Sequence, residues 1–91
     1  MKKVFMHYRG ELPVKIEFRP NYILISSKSR RAKKWADKLI KKEAKKSNII
    51  LKKKKGRYYP KDLSNYIENS DNLYNNLLEY WWINESETLS N

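Results

Sequence analysis

Four consecutive lysines, Lys52–Lys55, follow directly on the apolar run Ile49-Ile50-Leu51. Side chains along a strand point alternately to its two faces, so Lys52 and Lys54 go one way and Lys53 and Lys55 the other. Burying an unpaired ammonium costs several kcal/mol. Neither face of this ribbon can be core. Either the strand stops near Leu51, or the ribbon projects beyond its sheet into solvent and bends near Gly56 before Arg57-Tyr58-Tyr59. The apolar triplet anchors the segment, and the lysines must leave the interior.

The rest of the chain supplies that interior. "KVFMHY" reads as a first strand, followed by a Gly-centred turn at residues 9–11. In "LPVKIEF", Leu12, Val14, Ile16 and Phe18 alternate with Pro13, Lys15 and Glu17, the period of a strand with one buried and one wet face. Pro13 suits the start of a strand or an edge. "YILIS" at 22–26 is a third strand, rich in β-branched and aromatic residues. The spacing then changes. Ser29 is placed to cap a helix, and Ala32, Trp35, Ala36, Leu39, Ile40 and Ala44 form one apolar stripe over residues 30–46. Glu43 falls inside that stripe, where it must reach the rim or pair with a tyrosine or lysine. A fourth strand over "NIILKKKKGRYY" follows. Helical spacing resumes at Leu63, Tyr66 and Ile67, is interrupted by "ENSDN", and continues through Leu73, Tyr74, Leu77, Leu78 and Trp81 to about Ile83. The predicted order is βββαβα(α). It makes an α+β domain over residues 1–83, a small antiparallel sheet of a three-stranded meander plus a fourth strand, with helices on one face. Residues 84–91 are expected as a flexible acidic tail.

Charge is segregated along this chain. Residues 28–57 carry fifteen basic and two acidic side chains, and residues 58–91 carry one basic and six acidic. A genome rich in A and T accounts for sixteen lysines against five arginines, but not for their collection in one segment. Such asymmetry points to a polyanion on one side of the molecule. The chain has no cysteine, which excludes disulfides and thiolate metal sites, and its single histidine, His7, argues against a zinc site. No Gly-rich phosphate loop and no nucleophile–base–carboxylate set is visible; His7, Glu11 and Glu17 could lie near one another across the first hairpin, but nothing marks them as catalytic. The expectation is a non-enzymatic, cytoplasmic protein without cofactor, metal, export signal or membrane span.

Opposite the apolar stripe of the first helix, Lys34, Lys38, Lys41 and Lys45 form a ridge about 16 Å long. With Lys52, Lys53, Lys54, Lys55 and Arg57 it would make one positive surface. "SSKSRR" at 26–31 combines helix-start N–H groups with Lys28, Arg30 and Arg31 and suits a phosphate. The two arginines are otherwise misplaced there, since cations at a helix N-terminus cost roughly 0.3–1 kcal/mol each. Each basic group has a plainer use as a solvated surface, and the ribbon as an edge that discourages aggregation. Trp35 reads as packing against the sheet. Of Tyr58 and Tyr59, alternation sends one inward and one outward, and the outward ring is open to base stacking; Tyr58 is carried with the basic set. Trp81 and Trp82 form a candidate protein-binding patch in the acidic third.

A sheet of three strands followed by a helix, residues 3–46, is similar in architecture to plant AP2-type and recombinase arm-binding domains, which implies an α+β nucleic-acid binder. In size and charge alone the chain resembles small bacterial ribonuclease toxins, whose helix-first order differs. The leading expectation is a module that contacts the phosphate backbone of DNA or RNA with low sequence specificity. The alternative is a phage-type inhibitor, anti-CRISPR-like in character, that binds a host nucleoprotein or nucleic-acid enzyme. Adsorption to anionic membrane is the weakest reading, since the apolar face of the lysine helix is not bulky.

Overall fold

The structure, a computed structural model, describes the backbone of residues 2–8 and 12–90 and the side chains of residues 2–6 and 14–79. Strands β1 (Lys2–Tyr8) and β2 (Leu12–Phe18) pair antiparallel, with Val4 opposite Ile16 and Met6 opposite Val14. Strand β3 (Ile23–Ser26) extends the meander, with Ile25 opposite Ile16. The expected turn at 9–11 lies outside the described residues. Val4, Met6, Val14, Ile16, Phe18, Ile23 and Ile25 are all buried. They share one face, as their strict alternation requires.

Helix α1 (Arg30–Lys46) begins where predicted, with the Ser29 hydroxyl accepting from the Ala32 N–H. It ends in a left-handed cap. Asn48 has φ 61°, its N–H bonds the Lys45 carbonyl, and the Ile49 N–H bonds the Ala44 carbonyl. This is the pairing of a Schellman motif, with Ile49 and Ala44 buried together. The helix lays Ala32, Ala36, Leu39, Ile40 and Ala44 on the sheet. Trp35 is half-buried against the same core. Glu43 is buried within the stripe, 3.4 Å from the Lys46 ammonium.

The fourth strand expected from the sequence, with its bend near Gly56, is two strands: the bend is present, and it joins β4 (Leu51–Lys54) and β5 (Arg57–Pro60) as a hairpin. Lys55 (φ 51°) and Gly56 (φ 79°) both have positive φ, the geometry of a two-residue turn whose twist matches the flanking strands. The five-stranded sheet has the order β1-β2-β3-β5-β4, so the chain returns from α1 to the outer edge and β5 then inserts beside β3. Lysine-rich β4 takes the edge, where both of its faces meet solvent. Pro60, which has no N–H to donate, lies beyond the β3 pairing, which involves only Tyr58 and Arg57.

Helix α2 (Leu63–Ser90) starts at Asp62, whose carboxylate accepts from the Asn65 N–H at 3.2 Å. It is continuous through "ENSDN", where the sequence reading breaks it. Asn69 folds its amide onto Asn65, and Tyr66, Leu73 and Leu77 on either side of the segment are fully packed. Tertiary burial of that stripe outweighs propensity penalties of about 0.5 kcal/mol per residue. The α2 backbone runs through Ser90, across residues 84–90 that the sequence reading leaves as a tail. Phe18 and Tyr74 meet edge to face at 5.9 Å, and the Tyr66 hydroxyl donates to the Arg19 carbonyl at 2.8 Å, tying α2 to the meander. No helix among the described residues is long and apolar enough to cross a membrane.

Candidate nucleic-acid interface

The pairing of β4 with β5 decides where each lysine goes. Lys53 lies opposite Tyr58, whose ring is buried on the helix side of the sheet. Lys52 lies opposite Tyr59 and Lys54 opposite Arg57, on the other side. The ribbon is therefore split, and the continuous positive surface expected from the sequence becomes two surfaces that share one hairpin.

On the helix side a cleft opens between the first half of α1 and the hairpin. It is lined by Arg30, Arg31, Lys33 and Lys34 from the helix and by Lys53, Gly56 and Tyr58 from the hairpin. Its one acid among the described residues is Asp37. The Tyr58 hydroxyl donates to this carboxylate, and the ammonium groups of Lys41 and Lys53 lie 3.4 and 3.6 Å from it. Burial by itself raises the Asp37 pKa. The Tyr58 hydrogen bond and the two lysines outweigh it and hold the carboxyl below its ordinary value. The same contacts act oppositely on Tyr58, which burial and the neighbouring carboxylate push well above the usual phenol range. Lys53 also sits 5.6 Å from the Tyr58 ring centroid.

Tyr58 is thus the inward residue of the pair. Its ring is 3 % exposed and its hydroxyl is committed to Asp37, so it is not open to a base; the outward ring is Tyr59. Lys28, Arg30, Arg31, Lys34, Lys38, Lys41 and Lys45 are exposed along α1 and its lead-in. Of these only Lys41 is within ion-pair distance of an acid among the described residues. The phosphate pocket expected at the helix start is only partly open, since the Ser29 hydroxyl is already used as the cap. Arg30 and Arg31 line the cleft instead.

Among the described residues no helix packs on the opposite face of the sheet, and Phe5 there is 50 % exposed. Lys52, Lys54, Lys55, Arg57 and Tyr59 line a shallow concavity on this side. Tyr22, just before β3, and Tyr59 of β5 lie side by side with ring centroids 5.6 Å apart, and the Arg57 guanidinium lies 4.9 Å from the Tyr22 centroid. Glu17 also belongs to this face, covered by Lys15 and Arg19 at 2.9 Å each. The Lys15 hydrogen bond, together with the charges of Lys15, Arg19 and Lys3, outweighs burial and holds its carboxyl low. It presents little net charge to a ligand.

The sequence reading missed Tyr22, Lys33 and Asp37. Alternation around Ile23 and Ile25 would have placed Tyr22 on the open face with Leu24. Lys33 and Asp37 flank the apolar stripe, and their importance depends on the hairpin beside them. Trp81 and Trp82 belong to α2, but their side chains lie outside the described ones, as does that of His7 in β1; Glu11 lies outside the described residues. No group of His, Asp or Glu suited to a metal is found among the described residues. Compared with family models, curated proteins and solved structures, the chain matches none.

Proposed function

We propose that the protein is a nucleic-acid-binding module that grips the phosphate backbone with low sequence specificity, through the cleft between α1 and the β4–β5 hairpin and the basic groups at its rim. The observation that carries this reading is convergence. Arg30, Arg31, Lys33 and Lys34 at the start of α1 and Lys53 on the hairpin, distant in the chain, surround one cleft that contains a single carboxylate among the described residues. Self-repulsion disfavours such an arrangement unless an anion occupies it. A second feature points the same way. Lys55 holds a left-handed conformation at the hairpin tip, where Asn or Gly is favoured, so a cation is kept there against backbone preference. Low specificity follows from lysines that act as point charges, with little of the bidentate geometry that reads base edges.

The test is a titration of duplex and single-stranded DNA and RNA across salt concentrations. Log K is expected to fall against log salt with a slope of about −4 to −8, one counterion for each phosphate neutralised. The variant Arg30→Ala/Lys33→Ala/Lys34→Ala is expected to flatten that slope by about two to three. An unchanged slope removes the cleft from the interface. Absence of binding to every nucleic acid overturns the reading and leaves an acidic protein surface as the partner to seek, as a phage-type inhibitor would use.

A further inference from the structure

The open face of the sheet carries chemistry that phosphate gripping does not require. Tyr22 and Tyr59 are partly exposed side by side on a surface that no helix covers among the described residues, and Arg57 extends the pair as a third flat group. Lys52, Lys54 and Lys55 surround them. A solvated lysine edge needs no aromatic rings among its cations. A duplex hides the faces of its bases, so rings laid on an open sheet are of use only to unpaired ones. The cationic border also disfavours an apolar protein partner.

Resting on the nucleic-acid reading above, we propose that this face takes a single strand, with unpaired bases stacking on the Tyr22–Tyr59 pair and flanking phosphates held by Lys52, Lys54 and Lys55. The strand would cross the edge strand β4. The helix-side cleft lies just around that edge, so one polyanion can touch both surfaces.

The decisive comparison uses fluorescence anisotropy with four labelled probes: an oligouridine and an oligothymidine of about 12 nucleotides, an abasic strand with the same phosphates, and a duplex of equal length. The base-bearing single strands are expected to bind about tenfold or more tightly than the abasic strand. Tyr59→Leu and Tyr22→Leu are expected to weaken the base-bearing strands by about 5- to 100-fold and to leave the abasic strand and the duplex unchanged. Tyr59→Phe keeps the ring and is expected to retain binding. The uridine and thymidine arms show whether RNA or DNA is preferred. If base-bearing and abasic strands bind the wild-type protein equally, the stacking proposal falls and backbone gripping stands. If no probe binds, both fall. The wild-type comparison needs no variant, so a folding defect in Tyr59→Leu would not blunt the test.

Discussion

Asp37 acts in two opposed ways. Its carboxylate holds Tyr58 and Lys53, and with them the hairpin, against α1. It also places a negative charge inside a cleft that otherwise repels itself. The two roles separate by mutation. Asp37→Ala leaves the buried Tyr58 hydroxyl without its acceptor and is expected to cost about 1–3 kcal/mol in urea unfolding. Asp37→Asn keeps an acceptor, should cost less, and should strengthen polyanion binding at low salt by releasing Lys41 and Lys53. Weaker binding by a folded Asp37→Asn variant would contradict the assignment of the cleft. Asp37 titrates below its ordinary value in the native state, so its stabilisation is present above the unfolded carboxyl pKa of about 3.9 and is lost as pH falls through the native value. Tyr66 is pushed by burial up to about 12, and Tyr58 is also raised. Above about pH 10 the unfolded chain releases these protons first, so stability should fall as pH rises. Absorbance of the phenolates should show both tyrosines titrating late, and Tyr66→Phe should remove part of the alkaline loss.

At the scale of elements, the β4–β5 hairpin decides the interface. It meets the meander through only two residue pairs, Ile23 with Tyr58 and Leu24 with Arg57. The register of β4 against β5 therefore leans on the turn at Lys55-Gly56, and that of β5 against β3 on these two pairs. Gly56→Ala meets open space, with no atom near the added methyl group, so its cost is purely that of a side chain at φ 79°. The expected loss is about 1–2 kcal/mol. Lys55→Asn substitutes a residue that tolerates positive φ and is expected to stabilise the hairpin while weakening nucleic-acid binding. Thermal melts and the salt titration read these two effects separately. A Lys55→Asn variant that gains stability and loses no affinity would show that the tip cation serves neither surface. Helix α1 behaves more simply, because its cap, stripe and left-handed exit are all local, and its boundaries were readable from Ser29 to Lys46.

Over the whole molecule, most of the basic groups are gathered on α1 and the hairpin, while Glu68, Asp71 and Glu79 lie along α2. Asp71 pairs with Lys2 across to β1, so part of the acidic charge fastens α2 to the first strand. The unpaired cations of α1 repel one another in the free protein. Added salt is expected to raise the Tm of the wild-type chain between roughly 0.05 and 0.5 M, as the screening length shrinks. The rise should be smaller in Lys34→Gln/Lys38→Gln/Lys45→Gln. Equal responses would mean that the ridge is too well hydrated to strain the fold.

Alternation and helical spacing were sufficient for the meander, for α1 and for the exclusion of Lys52–Lys55 from the core, because each depends on neighbours within a few residues. They were not sufficient for strand order, for the choice between Tyr58 and Tyr59, or for the continuity of α2 through residues 68–72. Those rest on partners distant in the chain. Ile23 sets the register of Tyr58, Asp37 holds it inward, and the stripe from Tyr66 to Leu77 keeps the helix intact. A period of two says that adjacent lysines face opposite ways. Only pairing in the sheet decides that Lys53 joins the helix while Lys52 and Lys54 join the open face, since a one-residue slip in register would exchange them.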